Sequence, residues 1–321
     1  MTLKTALVLK PQEGESVWWK DSSIITFKVG KNDTEGRYSL TEGIVQPGGG
    51  AEPHMHPNED EIFYIIRGHL KLTIGNRTLT ARPGAFAKIP RGIGHAFVNE
   101  GSEDAVFLNP FLPPGLEQMF REGGRPRKFP HEAFPELSPT DIEKATAAAL
   151  KYNVVMNPDN SAWRSSPSTI ILEKDEGPKY RLPFSSEIYS IKLPCSHTNG
   201  DCSVVEILLP QAEETPMFCH YREHKGFYVA AGEVEFIIGS DQRFPAGVGM
   251  FVLIPKGMSH ALKNISDSDA RVVLFSSPGG IEHFYQNVGD SLMETSISLG
   301  TSSTRNLEKI QEQYEILIIQ K

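Results

Sequence analysis

Short apolar runs rich in β-branched and aromatic residues, punctuated by Gly, Pro, Asn and Asp, fill most of the chain. Ile62 to Ile66, Leu70 to Ile74, Ala96 to Val98, Val106 to Leu108, Val204 to Leu209, Phe227 to Val229, Val234 to Ile238 and Phe251 to Ile254 read as strands. Many short strands at close spacing predict an all-β sandwich or closed barrel. Helical signal is confined to the ends of two halves. Ser138, Pro139, Thr140 and Asp141 offer an N-cap, a proline at the first helical position and an acid in the first turn, ahead of the alanine-rich run Ala145 to Leu150. Leu307 to Tyr314 reads as a second helix, and Leu116 to Glu122 as a shorter one.

The pattern repeats. Gly115, Leu116, Glu117 and Phe120 recur as Gly280, Ile281, Glu282 and Tyr285, 165 residues on, and Lys151 to Val155 resembles Gln313 to Leu317, 162 residues on. Each half is then a set of strands, a closing helix and a strand-like tail. The polar stretch Asn157, Pro158, Asp159, Asn160 places the boundary near 158, giving domains 1–158 and 159–321.

Composition agrees with two domains, since 321 residues suffice for two cores of roughly 100 to 150 residues each. Acidic residues outnumber basic ones, 40 to 32, and no dense basic cluster exists to neutralise phosphates, which argues against a nucleic-acid partner. Met1 to Lys10 lacks the apolar stretch and cleavage site of a secretory signal, and no segment approaches the roughly 20 apolar residues that span a bilayer. The expectation is a cytoplasmic protein with no membrane partner. Cys195, Cys202 and Cys219 are odd in number and lack metal-binding spacing, so reduced thiols are expected rather than a disulfide framework.

Candidate chemistry concentrates in the first half. His54 and His56 are separated by one residue, so on a strand both point to the same face. A turn at Pro57 to Asp60 would return the Glu61 carboxylate to that face, and His95 would join from a strand distant in sequence if the sheet curls over. Without a shared partner, four such groups inside a β-structure would each cost about 1 to 3 kcal/mol, which favours a bound metal ion. Imidazoles with one carboxylate suit Fe(II), Mn(II), Ni(II), Cu(II) or Zn(II). His69, His131, His197 and His283, standing alone, read as ordinary core or surface residues.

These residues lie in two recognisable motifs. Gly48, His54, His56, Glu61 and Gly68 match the spacing of the first cupin motif, and Gly84, Pro90, Gly92, His95 and Asn99 that of the second. The chain thus resembles the cupins, and because both halves carry the frame, the bicupins. The resemblance implies two tandem double-stranded β-helix (jelly-roll) barrels with short C-terminal helices on each. Gly68, Gly84 and Gly92 are expected in tight turns with positive φ, Pro90 as a restraint on its neighbours, and Asn99 as a turn-forming hydrogen-bonding residue.

The second half keeps the frame and loses the site. Phe218 stands where His54 does, His220 where His56 does, Lys225 where Glu61 does and His260 where His95 does. The ammonium of Lys225 would repel a cation. It is expected to snorkel out at the barrel mouth, the alternative being an anion-binding or low-pKa amine beside His220 and His260. Glu223 and His224 could supply a substitute ligand.

One intact and one degenerate site resemble the quercetinase group of bicupin dioxygenases. That resemblance implies one divalent transition metal, Fe(II) first, held by His54, His56, Glu61 and His95. It also implies a substrate bound through an enol oxygen and cleaved by dioxygen, with Glu61 also the base that takes the substrate's hydroxyl proton. Strand parity with Glu61 and His95 turns Phe63, Ile65 and Phe97 inward, a largely apolar pocket for a small organic molecule. A non-oxidative isomerase, cyclase or lyase, or a non-catalytic binding or storage bicupin, are the alternatives. A monomer and a homodimer are both compatible with the sequence.

Overall fold

The computed structural model describes residues 5–20, 22–129, 132–136, 138–292 and 307–319. His131 therefore lies outside the described residues. Strands dominate and fall into four antiparallel sheets, two in each of two compact units.

In the first unit an eight-stranded sheet runs in the order 125–127, 16–19, 23–29, 39–45, 105–112, 60–67, 86–89 and 170–172. A five-stranded sheet runs in the order 155–156, 50–55, 95–98, 70–74 and 77–81. Alternation along each strand sends one row of side chains between the sheets, where Phe63, Ile65 and Phe107 from one pack on Leu70, Leu72 and Ile74 from the other. The second unit repeats the plan, with Phe227, Val229 and Leu274 packed on Phe236, Ile238 and Leu262. Each unit is a jelly roll of two sheets.

Helices close each unit. In the first, α1 (Glu117–Gly123) and α2 (Pro139–Lys151) follow the last long strand. Ser138 caps α2 reciprocally: its hydroxyl accepts from the Asp141 N–H, and the Asp141 carboxylate accepts from the Ser138 N–H. Ala145, Ala148 and Ala149 form the buried face of α2. In the second unit, α3 (Ile281–Val288) and α4 (Leu307–Tyr314) play these parts. After each pair the chain returns as a short strand, 155–156 onto 50–55 and 316–319 onto 217–220.

The repeat extends to turn chemistry. Gly68 (φ 67°) and Gly232 (φ 75°) sit in left-handed turns where a β-carbon would meet the Cα of Ala105 or Ala270 at 2.9 Å. Asn99 donates to the carbonyls of Val45 and Glu103 and accepts from the Gly101 N–H, while Asn264 donates to Leu209 and Ser268 and accepts from Ser266. Both asparagines are buried turn anchors.

The boundary falls later than the polar stretch at 157–160 suggested, between Asp175 and Glu176. Strand Ile170–Leu172 adds to the edge of the first unit at 86–89, the Ala162 carbonyl accepts from Gly94 and Trp163 lies against Gly94, so backbone pairing holds this segment in place. At the other end, strand Leu7–Leu9 pairs with 251–253, so the N-terminal segment through Pro11 belongs to the second unit rather than the first. A three-residue edge strand carries no period long enough to show its partner in the sequence. Among the described residues, no helix is long and apolar enough to cross a membrane.

Candidate metal centre

His54, His56, Glu61 and His95 converge. Each is between 2% and 8% exposed, and each offers a donor atom within 4.8 Å of the other three. His54 and His95 are direct cross-strand partners in the five-stranded sheet, whereas Glu61 is the second residue of strand Asp60–Arg67 in the other sheet. The turn after His56 thus crosses between the sheets instead of closing a hairpin within one, and the centre bridges the two layers at the mouth of the core.

Backbone carbonyls orient two of the rings. His54 Nδ1–H donates to Glu52 O at 2.7 Å and His95 Nδ1–H to Ile93 O at 2.9 Å, which leaves each Nε2 with its lone pair turned inward. His95 Nε2 lies 2.7 Å and His56 Nε2 3.3 Å from Glu61 Oε2. Despite that proximity, His95 Nε2 and Glu61 Oε2 lack the alignment of a hydrogen bond and remain buried without a partner. The other oxygen, Glu61 Oε1, accepts from Asn109 Nδ2 at 3.0 Å.

The electrostatics suit a cation. Burial, with help from the neighbouring imidazoles, holds His54 well below its ordinary value, and burial also lowers His56. Burial alone would raise Glu61, but electrostatic attraction to the close His95 and His56 outweighs it and holds the carboxyl well below the usual range. Neutral imidazoles and an ionised carboxylate are the forms that ligate a metal. Unpartnered buried donors that share one focus fit a divalent transition metal held by these four side chains.

The centre opens onto a cavity of about 360 Å³. Its walls are mostly apolar: Ile25 and Val45 on the sheet, Phe97 and Phe107 beside the histidines, and Phe120 and Met156 from the closing segment. Phe97 therefore lines the space beside the metal ligands. Phe63 and Ile65 do not, because they sit deeper in the core between the sheets. Parity assigned the correct side of the strand, but depth along the strand separates lining from packing. Sequence reasoning missed the walls from α1 and α2, including Met119, Phe120 and Ala149, and also Asn109.

In the second unit the same register holds different chemistry. Phe218 pairs with His260 across the strands as His54 does with His95. Lys225 does not snorkel: it is 1% exposed, and its Nζ donates to Ser276 Oγ at 2.8 Å with Glu223 Oε2 at 3.9 Å. The strand carries it between the sheets, where its stem cannot reach water. Burial brings its amine down to about 8. His220 Nδ1 lies 3.5 Å from Glu223 Oε2, His260 Nδ1–H donates to Met258 O, and His224 Nδ1 accepts from the Lys256 N–H away from the cavity. The cavity beside these residues is about 20 Å³. Among the described residues, donor clusters of three or more occur only at the first centre and at Cys195, Glu282 and His283. His69 and His197 make no part of either.

Comparison with known proteins agrees with this architecture. The cupin domain family model matches residues 42–111 and again 204–276. Oxalate decarboxylase OxdC of Bacillus subtilis (strain 168) is 35% identical over 104 residues, covering 31% of this chain and 25% of that protein. Polyketide synthase CurC of Streptomyces cyaneus is 34% identical over 83 residues, covering 25% of this chain and 54% of that protein. The matches thus span a quarter and about half of these relatives. The crystal structure of a putative glyoxylate-induced protein from Pseudomonas aeruginosa superimposes with a TM-score of 0.56 at 16% identity, over 87% of this chain and 92% of that one, a likeness of fold. Each unit thus carries one match to the cupin domain model, two in tandem along the chain.

Proposed function

We propose that the first unit is the active site of a metal-dependent dioxygenase acting on a small, largely apolar organic molecule with an enolisable oxygen. The observation that carries this reading is the apolar cavity of about 360 Å³ ending on four convergent donor atoms. Its volume falls within the range of small-molecule sites. Among the described residues no arginine lines it and Lys20 is its one cationic lining residue, which disfavours a small dianion such as oxalate.

His54, His56, His95 and Glu61 would hold the ion, Fe(II) first, with Mn, Ni, Cu or Zn as alternatives. When bound, a divalent metal supplies Lewis acidity that lowers the pKa of an attached hydroxyl and admits dioxygen chemistry. The chain's own residues do the rest. Asn109 fixes Glu61 through Oε1, so Oε2 faces the cavity to accept the substrate's hydroxyl proton. Phe97, Phe107 and Phe120 hold the apolar body of the substrate and exclude water. Both oxygen atoms enter the product, so no external reductant is required.

Elemental analysis of protein purified without added metal, followed by oxygen-uptake assays over enolisable aromatic and diketone substrates, tests this. Metal at the first centre and oxygen consumed in step with substrate are expected. Full turnover without oxygen would sink the dioxygenase reading and leave proton transfer by Glu61, an isomerase, cyclase or lyase reaction. The similarity to a polyketide synthase favours that second reading.

A further inference from the structure

A second cluster of soft and nitrogen donors lies in the second unit, away from His220, Lys225 and His260. Cys195 opens the loop that leads into strand Ser203–Leu209, and His283 lies on the first turn of α3. Cys195 Sγ stands 3.7 Å from His283 Nε2. The other ring nitrogen, His283 Nδ1, is 3.2 Å from Gln286 Oε1, an acceptor that holds the proton there and turns the Nε2 lone pair toward the sulfur. Glu282 lies beside them, fully buried. Its Oε1 accepts from the Cys195 N–H at 2.6 Å and its Oε2 from the Ser203 hydroxyl at 2.5 Å. An ionised carboxylate has about four lone-pair sites, so acceptor capacity remains.

We infer that Cys195, His283 and Glu282 form a surface site for one thiophilic divalent cation, Zn(II) being the ion the donor set suits. Zn–S bonds near 2.3 Å and Zn–N bonds near 2.0 Å at a tetrahedral angle set the sulfur and nitrogen roughly 3.5 Å apart, against the 3.7 Å found. Donor atoms of all three residues lie within 4.8 Å of one another. The partly exposed thiol and exposed ring leave the remaining position open to water or an incoming ligand.

The alternative use of a cysteine beside a histidine, as a nucleophile, runs against the surroundings. The buried Glu282 carboxylate, which accepts from the Cys195 N–H, would repel a bare thiolate, whereas the same negative charge attracts a cation. The first unit supplies an internal control. Thr34 Oγ1 donates to Tyr38 O there, and Thr198 Oγ1 donates to Cys202 O here, so the two loops are built alike. Glu117 and Glu282 occupy repeat-equivalent positions, yet the first loop contains no cysteine or histidine and Gln118 stands 165 residues before His283. The frame is shared, and the metal donors are particular to the second unit. This site stands independently of the proposed dioxygenase centre.

Co(II) titration of the chelator-stripped full chain tests the inference, because the first centre has no cysteine and a thiolate-to-cobalt charge-transfer band reports on a cysteine site alone. The band is expected in the parent protein, displaced by Zn(II), absent in Cys195→Ser, and weakened about tenfold or more in affinity in His283→Gln. It should persist in Cys202→Ser and in Glu61→Gln. A parent protein with no such band, or a band that survives Cys195→Ser, overturns the site.

Discussion

The two units share a scaffold and differ in what fills it. Each keeps a buried lysine–glutamate pair at matching positions, Lys28 with Glu42 at 3.5 Å and Lys192 with Glu206 at 3.8 Å, and each keeps its asparagine anchor. Around the centre, three replacements close the second cavity. Tyr189 stands where Ile25 does, Tyr285 where Phe120 does and Phe218 where His54 does, and the two tyrosine rings stack at 4.0 Å. About 360 Å³ becomes about 20 Å³, roughly the space for one water. The cation has changed as well: where the first unit gathers donors around an ion, the second inserts Lys225, whose ammonium meets Ser276 and Glu223 from within the chain. A jelly roll can therefore satisfy the same interior position with an external ion or with a covalently attached one.

Exchanging the residues that make this difference should give the largest effects. Glu61→Lys imports the second unit's cation into the first, and a loss of metal affinity beyond about 1000-fold is expected, since a ligand is removed and a positive charge put in its place. Elemental analysis after dialysis reads it directly, and retained metal would mean that Glu61 is not a ligand. In the reverse direction, Phe218→His with Lys225→Glu restores three imidazoles and a carboxylate at the register of the first unit. One additional ion per chain is expected by the same measurement, without added turnover, because Tyr189 and Tyr285 still fill the space.

A pH series probes the second interior next. Burial and repulsion from Lys225 hold His220 at about 4, while burial and repulsion from His220 hold His260 at about 3. Both are neutral in the folded chain at a pH where an unfolded histidine, near 6.5, already takes a proton. Stability is thus present above pH 6.5 and is lost as pH falls through 6.5 toward 4 and 3. Glu223, where burial is outweighed by Lys225 and His220 to leave it at about 2, adds loss of the same sign below about 4.5. Thermal unfolding of metal-free protein should show a loss on the order of 3 to 6 kcal/mol between pH 6.5 and 4. His220→Phe should lessen that slope without abolishing it, since His260 and, in the metal-free first centre, His54 and His56 lose stability in the same direction, and an unchanged slope would place the titration elsewhere.

Much of this was legible in the sequence because the informative residues are rare and regularly spaced. Eight short apolar runs bounded by turn residues became strands, and the donor set His54, His56, Glu61 and His95 met at one focus because period-two alternation fixes which face a residue takes. What escaped depended on contacts between segments far apart in the chain. Strand pairing at Leu7–Leu9 and Ile170–Leu172 moved the domain boundary, and helices α1 and α2 supplied cavity walls that no local pattern marks. Lys225 was misplaced for the same reason. A snorkelling lysine and a buried one have the same local sequence, and only Ser276, reaching it from a strand 51 residues away, distinguishes them. Cys195 and His283 became a pair only when the loop and α3 came together.

The smallest expected effect isolates orientation from coordination. Asn109 donates to Glu61 Oε1 at 3.0 Å and to Ile62 O at 2.7 Å, pinning the carboxylate to its own strand. The second unit has Leu274 at the equivalent position, where the lysine at the Glu61 position needs no such donor. Asn109→Leu should leave the four ligands in place, so bound metal remains near the parent level, while Glu61 loses the partner that directs Oε2 toward the cavity. A fall in kcat of about 10- to 100-fold with little change in KM is expected. Asn109→Asp tests the sign, because a carboxylate there repels Glu61 and should lower kcat further. If Asn109→Leu instead releases the metal, the asparagine acts on the ligand geometry as a whole, and the split between holding the ion and aiming the base would have to be abandoned.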